Sequence, residues 1–225
     1  MIEKAFVTGA DKNVEWLLPW WYEKLREQTD YPLFLYDCGL SEKAHNWVLD
    51  QGDISLCTLE HKNGWFMKPA VLLDVQANKK VWLDVDCEVV GDINGLFNFI
   101  KPDKIAVAPD PIHSWGCKYN TGVVGIEGKP DIAKEWKSMC DNPSAQLYGD
   151  FSRGDQELLW VLLREKGENV LSHIPRQYNW LRMYIERYRK YHRDVRIIHW
   201  TGQRGKDIIR ESYKKQTSTL KVLLK

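Results

Sequence analysis

The alternation of short β-rich runs with helical segments constrains this chain more than any other feature of its sequence. Ala5-Phe6-Val7-Thr8 reads as a first strand that ends at Gly9-Ala10-Asp11. Asn13 is then spaced to cap a helix over 15–27, which Pro19 kinks or restarts. A strand at 33–36 follows, then a helix over 41–49 capped by Ser41, and a third strand at 54–59. The spacing predicts a helix over 65–77, with Phe66, Ala70, Leu73 and Ala77 on one face. Val81-Trp82-Leu83, 105–108 and 122–126 read as further strands, 130–139 and 155–166 as helices, and 195–198 as a last strand. Repeated β-α units need crossover connections, which build a mostly parallel, doubly wound α/β sheet flanked by helices. Ligands of such sheets bind beyond the carboxyl ends of the strands. Polar clusters fall at those ends here: Asp11 and Asn13, Asp84 and Asp86, Asp110, and His199.

The remaining composition narrows the class. At 225 residues, 44% hydrophobic and 28% charged, the chain fits one soluble globular domain. A net charge of +1 removes the global electrostatic case for nucleic acid. No apolar run is long enough to span a bilayer and the N-terminus lacks a signal peptide's apolar core, so the expectation is a cytoplasmic protein. Cys38, Cys57, Cys87, Cys117 and Cys140 are odd in number and form no C-x-x-C pair, which favours reduced thiols over disulfides or zinc. Arg182, Arg187, Arg189, Lys190 and Arg193, with Lys214, Lys215, Lys221 and Lys225, read either as a solvated basic face or as weak peripheral contact with an anionic membrane.

Chemistry concentrates at Asp84-Val85-Asp86, directly after an apolar strand. Side chains two apart share a face of an extended backbone, so the two carboxylates project together. Like charges at that spacing push one pKa up unless a cation sits between them, and a hard divalent ion such as Mg²⁺ or Mn²⁺ suits oxygen ligands. The same residues also read as a solvated turn. An EF-hand is excluded by spacing, because Val89 falls at the glycine position and Gly95 at the last ligand position. Gly9-Ala10-Asp11-Lys12-Asn13 is neither G-x-G-x-x-G nor a Walker loop; Asp11 and Asn13 either meet a base edge or cap the helix. Lys68 lies on the helix before the carboxylate pair, within reach of a bound phosphate. Asp155 and Gln156 open a helix, either beside a reacting centre or, with Ser152 at capping-box spacing, as structural groups. His199 ends a strand and suits Mn²⁺ as a third ligand; Gly202 lets backbone amides approach phosphate, and Arg204 and Lys206 add positive charge.

In order, Val7-x-Gly9-Ala10-Asp11-x-Asn13, Lys68, Leu83-Asp84-x-Asp86, Asn120-Thr121-Gly122, Asp155-Gln156 and His199-x-x-Gly202 resemble a GT-A glycosyltransferase. Within that fold the sequence is similar to glycosyltransferase family 8, the glycogenin and bacterial lipopolysaccharide galactosyltransferase group. The resemblance implies a single domain over 1–225, with a Rossmann-like nucleotide-binding half at 1–110 and an acceptor and sugar half at 111–225 that ends in a basic tail. It implies a UDP-sugar donor, UDP-glucose or UDP-galactose, and a glycan, glycolipid or protein acceptor. By that resemblance Asp84, Asp86 and His199 ligate Mn²⁺ or Mg²⁺, Asp11 and Asn13 sit near the uracil, and Gly9 and Ala10 belong to the donor-binding loop. Lys68 reaches the donor phosphates or sugar, Asn120, Asp155 and Gln156 line the sugar, and Gly202 and Lys206 hold the diphosphate. Family members commonly continue His-x-x-Gly-x-x-Lys-Pro-Trp. Here Lys206 comes one place late and Pro-Trp is missing, which marks a divergent member and divides the phosphate role between Arg204 and Lys206.

The resemblance implies retention of configuration, with the Gln156 carbonyl on one face of the sugar; an inverting enzyme would use Asp155 as base. Trp115 is the expected acceptor-stacking residue. Two rivals remain at this level: a sugar nucleotidyltransferase of the same fold, which wants a glycine-rich loop with arginine and lysine after strand one, and a non-catalytic carbohydrate-binding protein.

Overall fold

The β-α alternation is realised as one large sheet with helices on both faces. A computed structural model describes residues 2–59, 66–110, 112, 116–143, 154–188 and 194–223. Its strands are β1 (Ile2–Ala10), β2 (Leu33–Asp37), β3 (Ile54–Thr58), β4 (Ala77–Leu83), β5 (Cys87–Val89), β6 (Ile105–Pro109), β7 (Tyr119–Glu127), β8 (Leu171–His173), β9 (Trp180–Leu181) and β10 (Ile197–His199). The helices are α1 (Leu18–Arg26), α2 (Glu42–Gln51), α3 (Lys68–Asp74), α4 (Asp131–Asp141), α5 (Asp155–Lys166), α6 (Arg182–Tyr188), α7 (Gly202–Lys214) and α8 (Thr219–Leu223).

The main sheet runs β3-β2-β1-β4-β7-β6-β8. Its first four strands are mutually parallel, and β7 runs antiparallel to both β4 and β6. Period-two alternation divides the strand residues between two cores. Phe6, Leu33, Leu35, Val81 and Leu83 pack under α1 and α2 with Leu17, Trp21, Leu25 and Val48. Val7, Tyr36, Trp82, Val124 and Ile126 pack under α3, α4 and α5 with Val71, Leu72, Trp136, Leu158 and Leu162. A second sheet, β5-β10-β9, closes over the carboxyl end of β4, with β10 antiparallel to β5 and parallel to β9.

Several boundaries differ from the sequence reading. The helix expected over 65–77 spans only Lys68–Asp74, because Val75 turns extended and Ala77 already belongs to β4. Buried β4 takes residues that share helical spacing, since an apolar run fits either period. Pro19 restarts a helix, as α1 with proline in its first turn. Asn13 caps nothing: the Asp11 carboxylate accepts the backbone N–H groups of Asn13 and Val14 instead. Ser41 caps α2 as expected, accepting from the Ala44 N–H. Ser152 and Trp115 lie outside the described residues, and α5 begins after Gly154 with no side-chain cap.

Candidate active site

Asp84 and Asp86 do not stand on a strand. Asp84–Cys87 forms a turn in which the Cys87 N–H donates to the Asp84 carbonyl at 2.9 Å, and β5 follows. The turn is pinned at both ends. The Asp84 N–H donates to the Gly122 carbonyl on β7, and the Trp200 N–H donates to the Asp86 carbonyl. This pinning, rather than strand alternation, turns both carboxylates toward His199 at the end of β10. His199 Nε2 lies 3.2 Å from Asp86 Oδ1 and 3.8 Å from Asp84 Oδ2.

The like-charge repulsion anticipated between the two carboxylates is met by lysines. Lys68, the first residue of α3, sets its buried Nζ 3.1 Å from Asp84 Oδ1 and 3.3 Å from Asp155 Oδ2, and donates to the Thr121 carbonyl at 2.7 Å. Burial alone would lower this ammonium's pKa, but Asp155 and then Asp84 outweigh it and hold it at about 12. Asp84 also accepts from Trp82 Nε1 at 2.5 Å. Lys206 Nζ sits 3.0 Å from Asp86 Oδ2. Burial would raise the Asp86 carboxyl, yet His199 and then Lys206 hold it well below the usual carboxylate range. Asp155 goes the other way: burial raises it, Lys68 opposes, and Asp84 adds to the rise.

Behind His199 lies a ladder of side-chain amides. Asn120 Nδ2 donates to Gln156 Oε1 at 2.9 Å, and that oxygen also accepts the Thr121 N–H. Asn120 Oδ1 accepts the Gly122 N–H and stands 2.9 Å from His199 Nδ1. Asn179, which the sequence reading missed, completes the ladder between Asn120 and His199. Nothing in its local pattern marks it, because it lies in an irregular run before the two-residue strand β9. The sequence marks Gly122 only as part of a motif, but a Cβ there would stand 2.2 Å from His199 Cε1. The glycine leaves the space that the imidazole fills.

Lys68, Asp84, Asp86, Asn120, Asp155, Gln156, His199 and Lys206 therefore form one continuous cluster of contacts. Gly9 and Ala10 end β1, the parallel neighbour of β4. The Asp11 carboxylate is used within its own turn and also accepts Asn13 Nδ2. Gly202 opens α7 at a φ of +72°, a conformation that favours glycine. Arg204 does not join the cluster: its Nε pairs with Glu186 at 2.6 Å, and Arg182, which is buried rather than part of a solvated basic face, pairs with the same carboxylate through Nη1. Arg189, Lys190, Arg193 and Lys225 lie outside the described residues. No helix among the described residues is long and apolar enough to cross a membrane.

The donor set fits a hard divalent cation. Asp86, Cys87 and His199 bring potential ligand atoms within 4.8 Å of one another, and Asp84 adds an oxygen near the imidazole. Burial and then the adjacent carboxylates push the Cys87 thiol well above its ordinary range. A neutral, soft thiol leaves carboxylate oxygens and an imidazole nitrogen as the effective donors.

Comparison with known proteins adds an independent line. The sequence model of glycosyl transferase family 8 matches residues 67–206, a span that runs from the start of α3 through Lys206. The apo form of glycosyltransferase GlyE from Streptococcus pneumoniae TIGR4 superposes with a TM-score of 0.71 at 18% identity, over 95% of this chain and 64% of that one. The galactosyltransferase LgtC, solved in complex with donor and acceptor sugar analogs, superposes with a TM-score of 0.62 at 17% identity, over 88% of this chain and 87% of that one. This chain thus spans less than two thirds of the length of GlyE. No curated protein matches it. The structural likeness gives the mixed α/β sheet as the GT-A fold.

Proposed function

This chain belongs to glycosyl transferase family 8, and from that premise we propose that it moves a glycosyl group from a UDP-sugar, UDP-glucose or UDP-galactose, to a hydroxyl of a glycan, glycolipid or protein. The observation that carries this reading is the convergence of Asp84, Asp86 and His199, flanked by the ammonium groups of Lys68 and Lys206, beyond the carboxyl end of β4. Asp84 and Asp86 through carboxylate oxygens and His199 through Nε2 would hold Mn²⁺ or Mg²⁺. Such an ion, when bound, stabilises the negative charge that builds on the departing diphosphate.

The chain's own residues do the rest. Lys206 serves the diphosphate, and its ion pair with Asp86 supports it over Arg204, which is tied to Glu186. Gly202 brings the backbone at the start of α7 to the same phosphates. Asp11 and Asn13 sit near the base, and Gly9 and Ala10 shape the loop that receives the donor. Lys68 serves the donor phosphates or sugar while it orients Asp155. Asp155 supplies a carboxylate as the anomeric carbon becomes cationic. Asn120 and Gln156 line the sugar's side of the site. Family membership argues against both a sugar nucleotidyltransferase and a non-catalytic carbohydrate-binding protein.

Retention follows from the resemblance. Inversion with Asp155 as base is favoured by two features: the Gln156 carbonyl oxygen already accepts two hydrogen bonds, and burial raises the Asp155 carboxyl toward the range useful in a base. The anomeric configuration of the product, read by proton NMR, separates the two. The reading as a whole is tested by calorimetric titration of UDP with Mn²⁺ and then with EDTA. Binding that needs the metal and is lost in Asp86→Asn is expected; no binding of UDP in either condition overturns it.

A further inference from the structure

We propose that Asn179 is a positioning residue for His199: it fixes the imidazole as the Nδ1–H tautomer and so aims the Nε2 lone pair at Asp84 and Asp86. The consequence for metal binding rests on the reading of that face as a metal site; the assignment of the tautomer rests on geometry alone.

Every orientation in the amide ladder is pinned by a backbone group. The Gly122 N–H donates to the Asn120 side chain at 3.0 Å, so the atom it meets is Oδ1. Asn179 faces the Asn120 carbonyl at 3.3 Å and Asn120 Oδ1 at 2.9 Å. Both are acceptors, so Asn179 presents its NH₂ to them and its Oδ1 to His199. Nδ1 of His199 therefore meets two oxygens, Asn120 Oδ1 at 2.9 Å and Asn179 Oδ1 at 3.1 Å. Neither oxygen can donate, and Nδ1 must carry the proton.

Whenever Nε2 carries no proton, it turns a lone pair toward Asp86 Oδ1 and Asp84 Oδ2. A lone pair against two oxyanions is unfavourable unless a cation or a proton lies between, so the ring needs to be held there. Asn179 is built to hold it. It is 1% exposed and comes immediately before β9, whose Trp180 and Leu181 pair with Ile198 and His199. Its amide spans from β10 in the small sheet to Asn120 on β7 in the large one. Asn120 Oδ1 is shared among three donors, the Gly122 N–H, Asn179 Nδ2 and His199 Nδ1. Asn179 Oδ1 supplies Nδ1–H with a second acceptor. Outer partners of this kind orient a ligating imidazole and set its basicity, and their loss commonly weakens metal binding about 10–100-fold.

The tautomer is read directly from long-range ¹H–¹⁵N correlations of the ¹⁵N-labelled, metal-free chain at a pH where the ring is neutral, with the His199 signals assigned by their loss in His199→Gln. The expected wild-type pattern is Nδ1–H. Asn179→Leu is expected to give a mixture of tautomers or Nε2–H, and to weaken Mn²⁺ binding about 10–100-fold when free Mn²⁺ is followed by electron paramagnetic resonance. An Nε2–H tautomer in the wild type overturns the proposal, whether or not the variant folds. A folded Asn179→Leu with an unchanged tautomer also overturns it. A wild type that shows Nδ1–H yet binds no Mn²⁺ overturns the metal reading and leaves the positioning of His199 by Asn179 standing.

Discussion

Gly122→Ala tests the site through a single methyl group. Gly122 lies in β7 with no positive φ, so the substitution adds no backbone strain and acts through space alone. The new Cβ would stand 2.2 Å from His199 Cε1 and 2.3 Å from Nδ1, against 3.4–4 Å for ordinary contact. The shortfall at Cε1 is 3.4 − 2.2, or 1.2 Å. His199 is buried, so the ring must shift against packed neighbours and leave its two amide acceptors. Overpacking of this kind costs about 1–3 kcal/mol, and each weakened hydrogen bond adds about 0.5–1.5 kcal/mol. For a chain of this size each kcal/mol lowers Tm by about 2–4 °C, so a combined loss of about 2–6 kcal/mol lowers it by roughly 4–24 °C. A shift of about 1 Å also withdraws Nε2 from the carboxylates, and Mn²⁺ affinity should fall at least about tenfold.

The control is Gly125→Ala on the same strand. Its Cβ meets Ile100 Cδ1 and Cγ1, both at 2.8 Å, and Ala106 Cβ at 3.5 Å, none of which belongs to the cluster. It should cost stability and leave Mn²⁺ binding alone. In a His199→Ala background the new methyl at position 122 gains room, so the stability penalty of Gly122→Ala should largely vanish in a double-mutant cycle. The assays are thermal unfolding and Mn²⁺ titration of all four variants. A folded Gly122→Ala that binds Mn²⁺ within about threefold of wild type would refute the assignment of His199 as a ligand held by Gly122.

Two further outcomes follow from charge placement. Lys206→Ala should weaken UDP binding in the presence of Mn²⁺ at least about tenfold, a loss in the range of a charge-assisted contact, whereas Arg204→Ala should change it by less than about twofold; equal effects in calorimetry would dismiss the assignment of Lys206 to the diphosphate. Lys80 is buried with Nζ donating to the Gly128 carbonyl at 2.8 Å, and burial, then Lys129, lowers its pKa to about 8 while Asp74 opposes. Its folded pKa lies below the unfolded value of about 10.4, so the unfolded chain binds more protons across that window and this group's contribution to stability rises with pH from about 8 to about 10.4. Lys80→Met should be more stable than wild type at pH 7 by urea unfolding, with the gap narrowing as pH rises through that window; a gap that stays constant or widens contradicts the placement of a charged ammonium in this core.

The frame of the fold is written in local periodicity. Period-two alternation in 5–8, 33–36 and 81–83 separates Phe6 from Val7, Leu35 from Tyr36 and Val81 from Trp82 across the sheet, so the β-α order suffices for a mostly parallel α/β architecture. The order of motifs also singles out Asp84, Asp86 and His199, whose side chains meet in space. Three parts of the site were decided only in three dimensions. The two aspartates converge because a turn, pinned by Gly122 and Trp200, replaces the strand their spacing suggests. Lys206 rather than Arg204 meets Asp86 because α7 begins at Gly202 and residues two apart on a helix face away from one another. Gly205 sets that phase, since a Cβ there would stand 1.9 Å from the Trp200 carbonyl oxygen and α7 packs directly on that backbone. Asn179 joins His199 and Asn120 across the gap between two sheets. Local periodicity encodes which face of its own element a side chain takes. It carries no record of the partner that packing brings to that face from 59 residues away, as with Asn179 and Asn120, or from 120, as with Lys206 and Asp86.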